Sequence, residues 1–306
     1  MEELNNTNKI KNLLKVLVVG ATGNQGGAVA RKLLDKGHHV RALTRNKNSS
    51  KALKLKELGA EVVEGDVGDV YSLQEAMKGR DAVFALTTPF EKGINFEIKS
   101  GFLLEFAANT TGVSHFVFSS IASSHKNTGI PHFASKFQIE QHIKAVDTPY
   151  TIIKPVYFME NLLTPWMLSN LKKGVISIAL PPDRKVQMIN LEDFANLVVY
   201  VIENRDEYLK KTIEIASDEI SGSEVAEILS KVIGVPIKYN ELNYDEIATM
   251  GENFVKTFKW LKEIGYNIDI LKLHGDISQI DWHDFEAWAK KQFVDFLGKP
   301  VKQKII

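Results

Sequence analysis

The chain has 306 residues, of which 44% are hydrophobic and 25% charged, with 38 Lys and Arg against 38 Asp and Glu. That composition excludes disorder as the dominant state, and a formal net charge of zero leaves no basic surplus for a phosphate backbone or an anionic bilayer as main partner. The absence of cysteine excludes disulfides, thiolate metal sites and a Cys nucleophile. No run approaches the ~18 apolar residues of a membrane helix. Met1 to Leu14, rich in Asn and Lys, lacks the apolar stretch of a signal peptide. A soluble protein of the cytoplasm is expected (or of the nucleus, for a eukaryotic regulator), with no membrane or direct nucleic-acid contact. The first dozen residues read as loose, and Gly298 to Ile306 as a solvated basic tail.

In chain order, Val16 to Val19 reads as a strand closed by glycine. A helix follows, with Val29, Leu33 and Leu34 at helical spacing and Gly37 as its stop. His39 to Thr44 reads as a strand, Ser50 to Leu58 as a helix, Glu61 to Glu64 as a strand and Val70 to Met77 as a helix. Next come a strand at Ala82 to Leu86, a helix at Phe96 to Thr111 and a strand at His115 to Ser119. Ser135 to Val146 is helical, and Tyr150 to Lys154 is a strand ended by Pro155. Strands alternating with helices specify a doubly wound α/β fold with a parallel sheet covered on both faces. Beyond Pro155 the alternation weakens. Met188 to Asn190 and Thr212 to Ala216 read as strands around a helix ending at Val201. Ser221 opens a helix to Ile233, with Glu224 placed for a capping box. The last sixty residues read as helical. The expected division is a dinucleotide-binding domain at 14–155 and a smaller α+β lobe at 156–306, interleaved around 188–216.

Gly20-Ala21-Thr22-Gly23-Asn24-Gln25-Gly26 follows the first strand and opens the first helix. A diphosphate needs backbone N–H donors and the positive end of a helix dipole, and glycines let the backbone turn and approach closely. The strand before and the helix after raise this pattern above a bare glycine-rich turn. About twenty residues on, NAD enzymes place an acid for the ribose 2′-hydroxyl. Here the second strand ends in Thr44-Arg45-Asn46-Lys47, where a guanidinium can pair a 2′-phosphate and no acid repels it. NADP(H) is therefore expected over NAD(H), with a solvated basic loop as the alternative. Asp66 and Val67 end the third strand, where Asp66 either accepts from the adenine amino group or caps the next helix. Thr87 and Thr88 end the fourth, where backbone runs beside a cofactor.

His132 and Lys136 stand where catalytic short-chain dehydrogenases carry Tyr-x-x-x-Lys. One helical turn puts both on one face, so an ammonium can lower a phenol pKa and bind ribose hydroxyls. The lysine is kept; the tyrosine is replaced by His132, either a proton shuttle or a structural residue. Ile121 occupies the place where related enzymes often carry a hydroxyl. The eight histidines show no metal-ligand spacing, so no metal is expected. Trp282, Phe285, Trp288 and Phe293 read as packing, and Lys51, Lys54 and Lys56 as a solvated helix face.

The glycine motif, Arg45, His132-x-x-x-Lys136, the run Lys154 to Leu162 and the later Met188 to Ala195 together resemble the NmrA-like family of atypical short-chain dehydrogenases, over residues 14 to 240. The resemblance implies a Rossmann fold with NADP(H) along the carboxyl ends of the strands. It also implies Lys136 on the nicotinamide ribose, and Tyr157, Phe158, Met159 and Asn161 lining the nicotinamide side. Two functions follow from it: a redox sensor that binds dinucleotide without turning it over and answers to a regulatory protein partner, or a reductase of a small quinone, carbonyl or phenolic substrate. Lys136, with His132, would carry the catalysis in the second.

Overall fold

In a computed structural model, residues 13–294 and 296 are described; the expected loose start and basic tail lie outside them. The short apolar runs of the first half become strands because helices cover the sheet on both faces and bury them. The strands are β1 (Lys15–Val18), β2 (His39–Thr44), β3 (Glu61–Glu64), β4 (Ala82–Leu86), β5 (His115–Ser119) and β6 (Tyr150–Pro155). Their helices are α1 (Asn24–Asp35), α2 (Ser50–Glu57), α3 (Val70–Met77), α4 (Ile94–Thr110) and α5 (Pro131–Ala145). α5 begins four residues earlier than the periodicity indicates, because Pro131 is pre-set for the first turn. His132 is thereby helical.

After Pro155 come β7 (Tyr157–Phe158), α6 (Pro165–Lys172), β8 (Val175–Ile178), β9 (Lys185–Ile189), α7 (Leu191–Glu203), α8 (Arg205–Tyr208) and β10 (Thr212–Ile215). They are followed by β11 (Asp218–Ser221), α9 (Gly222–Ile233), β12 (Lys238–Glu241), α10 (Tyr244–Ala248), α11 (Glu252–Glu263), α12 (Ile270–Asp276) and α13 (Phe285–Phe293).

Seven strands form the main sheet in the order β10-β6-β5-β4-β1-β2-β3, and every pairing in it is parallel. The order reverses between β1 and β4, which opens a crevice at their carboxyl ends, the usual ligand position in such sheets. One face is packed by Val29 and Leu33 of α1 with Phe194 and Val198 of α7. The other is packed by Leu73 and Met77 of α3, Leu104 and Ala108 of α4, and Ile139 and Ile143 of α5. Within 185–221, β10 pairs at the edge of the main sheet and α7 packs on its face, whereas β9 joins β7 and β11 in a separate three-stranded sheet.

The second lobe has its own core, in which Met159, Leu171, Ile176, Leu229, Trp260, Phe285 and Trp288 are buried. Phe133 of α5 enters that core edge-on to Trp260, 5.3 Å between ring centroids, and ties α5 to the lobe. Ser221 and Glu224 do form the capping box of α9. Of the late aromatics, Phe285, Trp288 and Phe293 lie on α13, while Trp282 precedes it and stacks on His274 at 4.5 Å. The pairing of β8 with β12 was not foreseen, since neither four-residue run has a strong period of its own.

Candidate functional site

The glycine loop is built for close backbone approach. Gly20 adopts φ +68°, a left-handed conformation that favours glycine, and its carbonyl accepts the Gly23 N–H at 2.9 Å. A Cβ on Gly26 would lie 2.3 Å from the Gly20 oxygen and 2.9 Å from that of Val19, so only glycine lets α1 start this near β1. Ala21 is buried, Thr22 half-buried, and Gly23 and Asn24 are exposed. No side chain caps α1 and no acid stands in its first turn, so its N–H groups and dipole are offered outward to an anion. Gln25 fastens the loop across the crevice, accepting the Ser119 hydroxyl at 2.8 Å.

Just past β2, Arg45 makes a bidentate ion pair with Glu91, at 2.6 and 3.1 Å. Both side chains are more than half exposed. Beside them opens a cleft of about 410 Å³ lined by Arg45, Glu64, Gly65, Asp66, Asp69 and Ser72. Asp66 accepts the Gly68 amide at 2.7 Å and faces Lys92 at 3.4 Å. The Gly68 bond and that ammonium hold its carboxyl below the usual range. The cap of α3 is Asp69, not Asp66. Val67 leans on the sheet's core, and Lys47 is exposed. No acid stands at the end of β2 in the sequence, yet the fold brings one there: Glu91 arrives from the β4–α4 loop.

At the other end of the crevice Lys136 is buried. Its Nζ donates to the Thr87 carbonyl at 2.5 Å and the Thr87 hydroxyl at 2.9 Å, lies 3.1 Å from a Glu97 carboxylate oxygen, and stands 5.3 Å from the centre of the Phe118 ring. Burial pushes its pKa down, opposed by Glu97. Glu97 is itself completely buried and also accepts hydroxyl protons from Thr87 and Ser135. Thr88 is exposed, and its hydroxyl accepts the Phe90 N–H at 3.4 Å. His132 is pushed down to about 4 by burial, so at neutral pH it is an uncharged imidazole and not a ready acid. Its Nδ1 is enclosed without a partner, and its ring sits 5.9 Å from Phe90 and 5.0 Å from Phe133.

Tyr157 shares a hydrogen bond with exposed Asn161, and burial raises its phenol to about 12. Phe158 meets Phe194 edge-on at 5.5 Å, within the core under the sheet. Met159 is fully enclosed in the second lobe, so its side chain lines no open surface; Tyr157 packs against the same core, and Asn161 is the exposed residue of the stretch. Sequence reasoning missed Glu97, Glu91 and Glu160. The last accepts the Leu191 amide and the Trp288 indole, each at 3.0 Å, across the lobe boundary. A second buried charge group was also missed: Lys154 lies 3.4 Å from both Glu140 and Glu214, and Glu140 accepts the hydroxyls of Ser120 and Ser124. Glutamates are ordinarily solvated, and no spacing marks Glu97 and Glu140, both fully buried on helices, as exceptions. Among the described residues, no cluster of His, Asp and Glu could hold a metal, and no helix is long and apolar enough to cross a membrane.

A parallel doubly wound sheet with a glycine turn at its crevice defines a Rossmann-type nucleotide-binding fold. The chain belongs to the NmrA-like family, whose model matches residues 13–289. It is 33% identical over 255 residues to the NmrA-like family domain-containing oxidoreductase malD of Malbranchea aurantiaca, covering 74% of this chain and 75% of that protein. Among solved structures it is similar to the Citrobacter sp. triphenylmethane reductase complexed with NADP(H), with a TM-score of 0.76, 21% identity, and coverage of 92% and 100%. It is also similar to NmrA, a negative transcriptional regulator, in complex with NAD, with a TM-score of 0.78, 20% identity, and coverage of 92% and 95%. At those identities the two structural likenesses are of fold.

Proposed function

We propose that this chain binds NADP(H), and that occupancy of the site, rather than turnover, is its output to a regulatory protein partner. The residues fit the group. The outward N-terminus of α1 and the Gly20–Gly26 turn suit a diphosphate, and the cleft beside Arg45 suits the adenosine end. The nicotinamide end then falls toward Lys136 and Tyr157. NADP(H) is favoured over NAD(H) by the Arg45 guanidinium, which pairs a phosphate in the same bidentate manner as it now pairs Glu91.

One observation carries the choice of a sensor. Of the two groups placed to move a proton beside the cofactor, one is engaged and the other uncharged. NADPH, when bound, supplies a hydride, but a reductase also needs a group that delivers a proton to the acceptor. Lys136 is committed to Thr87 and Glu97, and His132 is neutral, so neither is poised to deliver a proton.

A second reading, a reductase of a small quinone, carbonyl or phenolic substrate using Lys136, is favoured by the kinship with an oxidoreductase at 33% identity. Calorimetric titration of both dinucleotides, followed by NADPH oxidation over quinones, aldehydes and dyes, separates the two. The sensor predicts binding with oxidation near background. Oxidation at ordinary enzymic rates, lost far more in Lys136→Ala than in His132→Ala, would establish the reductase instead.

A further inference from the structure

The loop between β4 and α4 is fastened at every step. Thr87 is held by Lys136. Phe90 lies parallel to Phe254 of the second lobe, with centroids 6.4 Å apart and 28° between planes. Glu91 holds Arg45, and Lys92 reaches Asp66 while covering the Phe96 ring at 4.4 Å. Gly93 closes the turn with φ +84° and an N–H donated to the Pro89 carbonyl at 2.8 Å. The loop is thus a strap from the second lobe to the ends of β2 and β3.

We infer that Glu91 is a specificity-determining residue of this site: it occupies Arg45 in place of a 2′-phosphate, so NADP(H) must displace it and NAD(H) need not. The inference rests on the dinucleotide-binding reading above. A carboxylate and a phosphate present the same pair of acceptor oxygens to a guanidinium, and both cannot take its fork at once. A Glu91 carboxylate left beside a bound phosphate would be repelled by it. Because the Arg45 and Glu91 side chains are 60% and 55% exposed, water solvates the parted ions and the pair is a weak lock, easily displaced. Displacement frees the strap at its Arg45 end while Phe90 still touches the second lobe, so the two dinucleotides leave the strap in different states.

The test is the ratio of NADP(H) to NAD(H) affinity by calorimetry. Glu91→Gln should raise NADP(H) affinity about three- to tenfold, with a smaller gain at high salt, and leave NAD(H) within about twofold. Glu91→Lys should move the ratio further the same way. Lys92→Gln, which cuts the strap's other ion pair without touching Arg45, should shift both dinucleotides alike. If both bind the unaltered protein and neither Glu91 variant changes the ratio, the inference is overturned and the binding site stands. A ratio moved only by loss of NAD(H) affinity would make Glu91 a ribose acceptor, and also overturns it. If neither dinucleotide binds the unaltered protein, the reading beneath it fails as well.

Discussion

Removing Glu97 should leave Lys136 as an uncompensated buried ammonium. At 3.1 Å and an effective dielectric constant near 20, the lost attraction is about 5 kcal/mol. The two hydrogen bonds to Thr87 survive and still solvate the ammonium, so a net loss of about 3–5 kcal/mol at pH 7 is expected for Glu97→Gln. A large part of a domain's stability is then at stake. The ion pair as a whole should matter much less than either half. Glu97→Leu with Lys136→Met replaces both charges by apolar groups, and should fall within about 2 kcal/mol of the natural protein. The pH dependence has a definite sign. In Glu97→Gln the folded-state pKa of Lys136 is driven further down, so above it the unfolded chain binds more protons and stability rises with pH toward the ordinary lysine value. Urea unfolding followed by circular dichroism, at pH 7 and pH 9.5, measures both variants beside the natural protein. A single variant that costs under about 1 kcal/mol, or a double variant worse than the single, would refute the burial argument.

Arg45→Asp should lower NADP(H) affinity about tenfold and erase its preference over NAD(H), a charge-assisted contact at an exposed site being worth ~1.5 kcal/mol; equal affinities in the unaltered protein would sink that claim. Gly23→Val should abolish binding of both dinucleotides and keep the fold, because its Cβ meets the Gly20 oxygen at 3.2 Å on the outward side of the turn. Gly26→Ala should also destabilise the fold, since its Cβ would clash with the Val19 and Gly20 backbone at 2.3 to 2.9 Å; thermal melts that leave it equal to Gly23→Val would contradict the packing argument. His283 donates from Nδ1 to fully buried Asp193 at 2.6 Å, which raises its pKa. It should therefore contribute on the order of 1 kcal/mol below pH 6.5, lost as pH rises through the folded-state value. Melting curves of His283→Gln and the natural protein should converge above that value, and curves parallel from pH 5.5 to 8.5 would refute it. Restoring the phenol alone, as His132→Tyr, should not create turnover, because Ile121 still offers no hydroxyl to share developing charge; NADPH oxidation by that variant at enzymic rates would contradict this.

Much of the main sheet was legible because its signals are local. His39–Thr44, Glu61–Glu64, Val70–Met77, Ala82–Leu86 and His115–Ser119 have the bounds that periodicity and glycine punctuation assign them. The lobe was less so: four-residue strands such as Val175–Ile178 and Lys238–Glu241 exist because they pair with each other, not from any preference of their own. Met159 shows the same limit from the other side. A motif says which residues travel together, but neighbours on one stretch turn opposite ways, and Met159 turns into the core while Tyr157 and Asn161 face each other.

By itself, then, the sequence determined the doubly wound α/β class, the glycine turn at the mouth of the first helix, and the spacing of His132 and Lys136 on one helical face. All three are set within a few residues by steric and periodic rules that need no distant partner. The charge state and occupancy of those residues were decided by tertiary structure alone. Glu97 reaches Lys136 from 39 positions away and Glu91 reaches Arg45 from 46, across loops whose closing no local pattern encodes. His132 is uncharged because the folded chain buries its ring, with Phe90 and Phe133 against it. A pKa is set by solvent and by neighbours in space, and both exist only once the chain has folded.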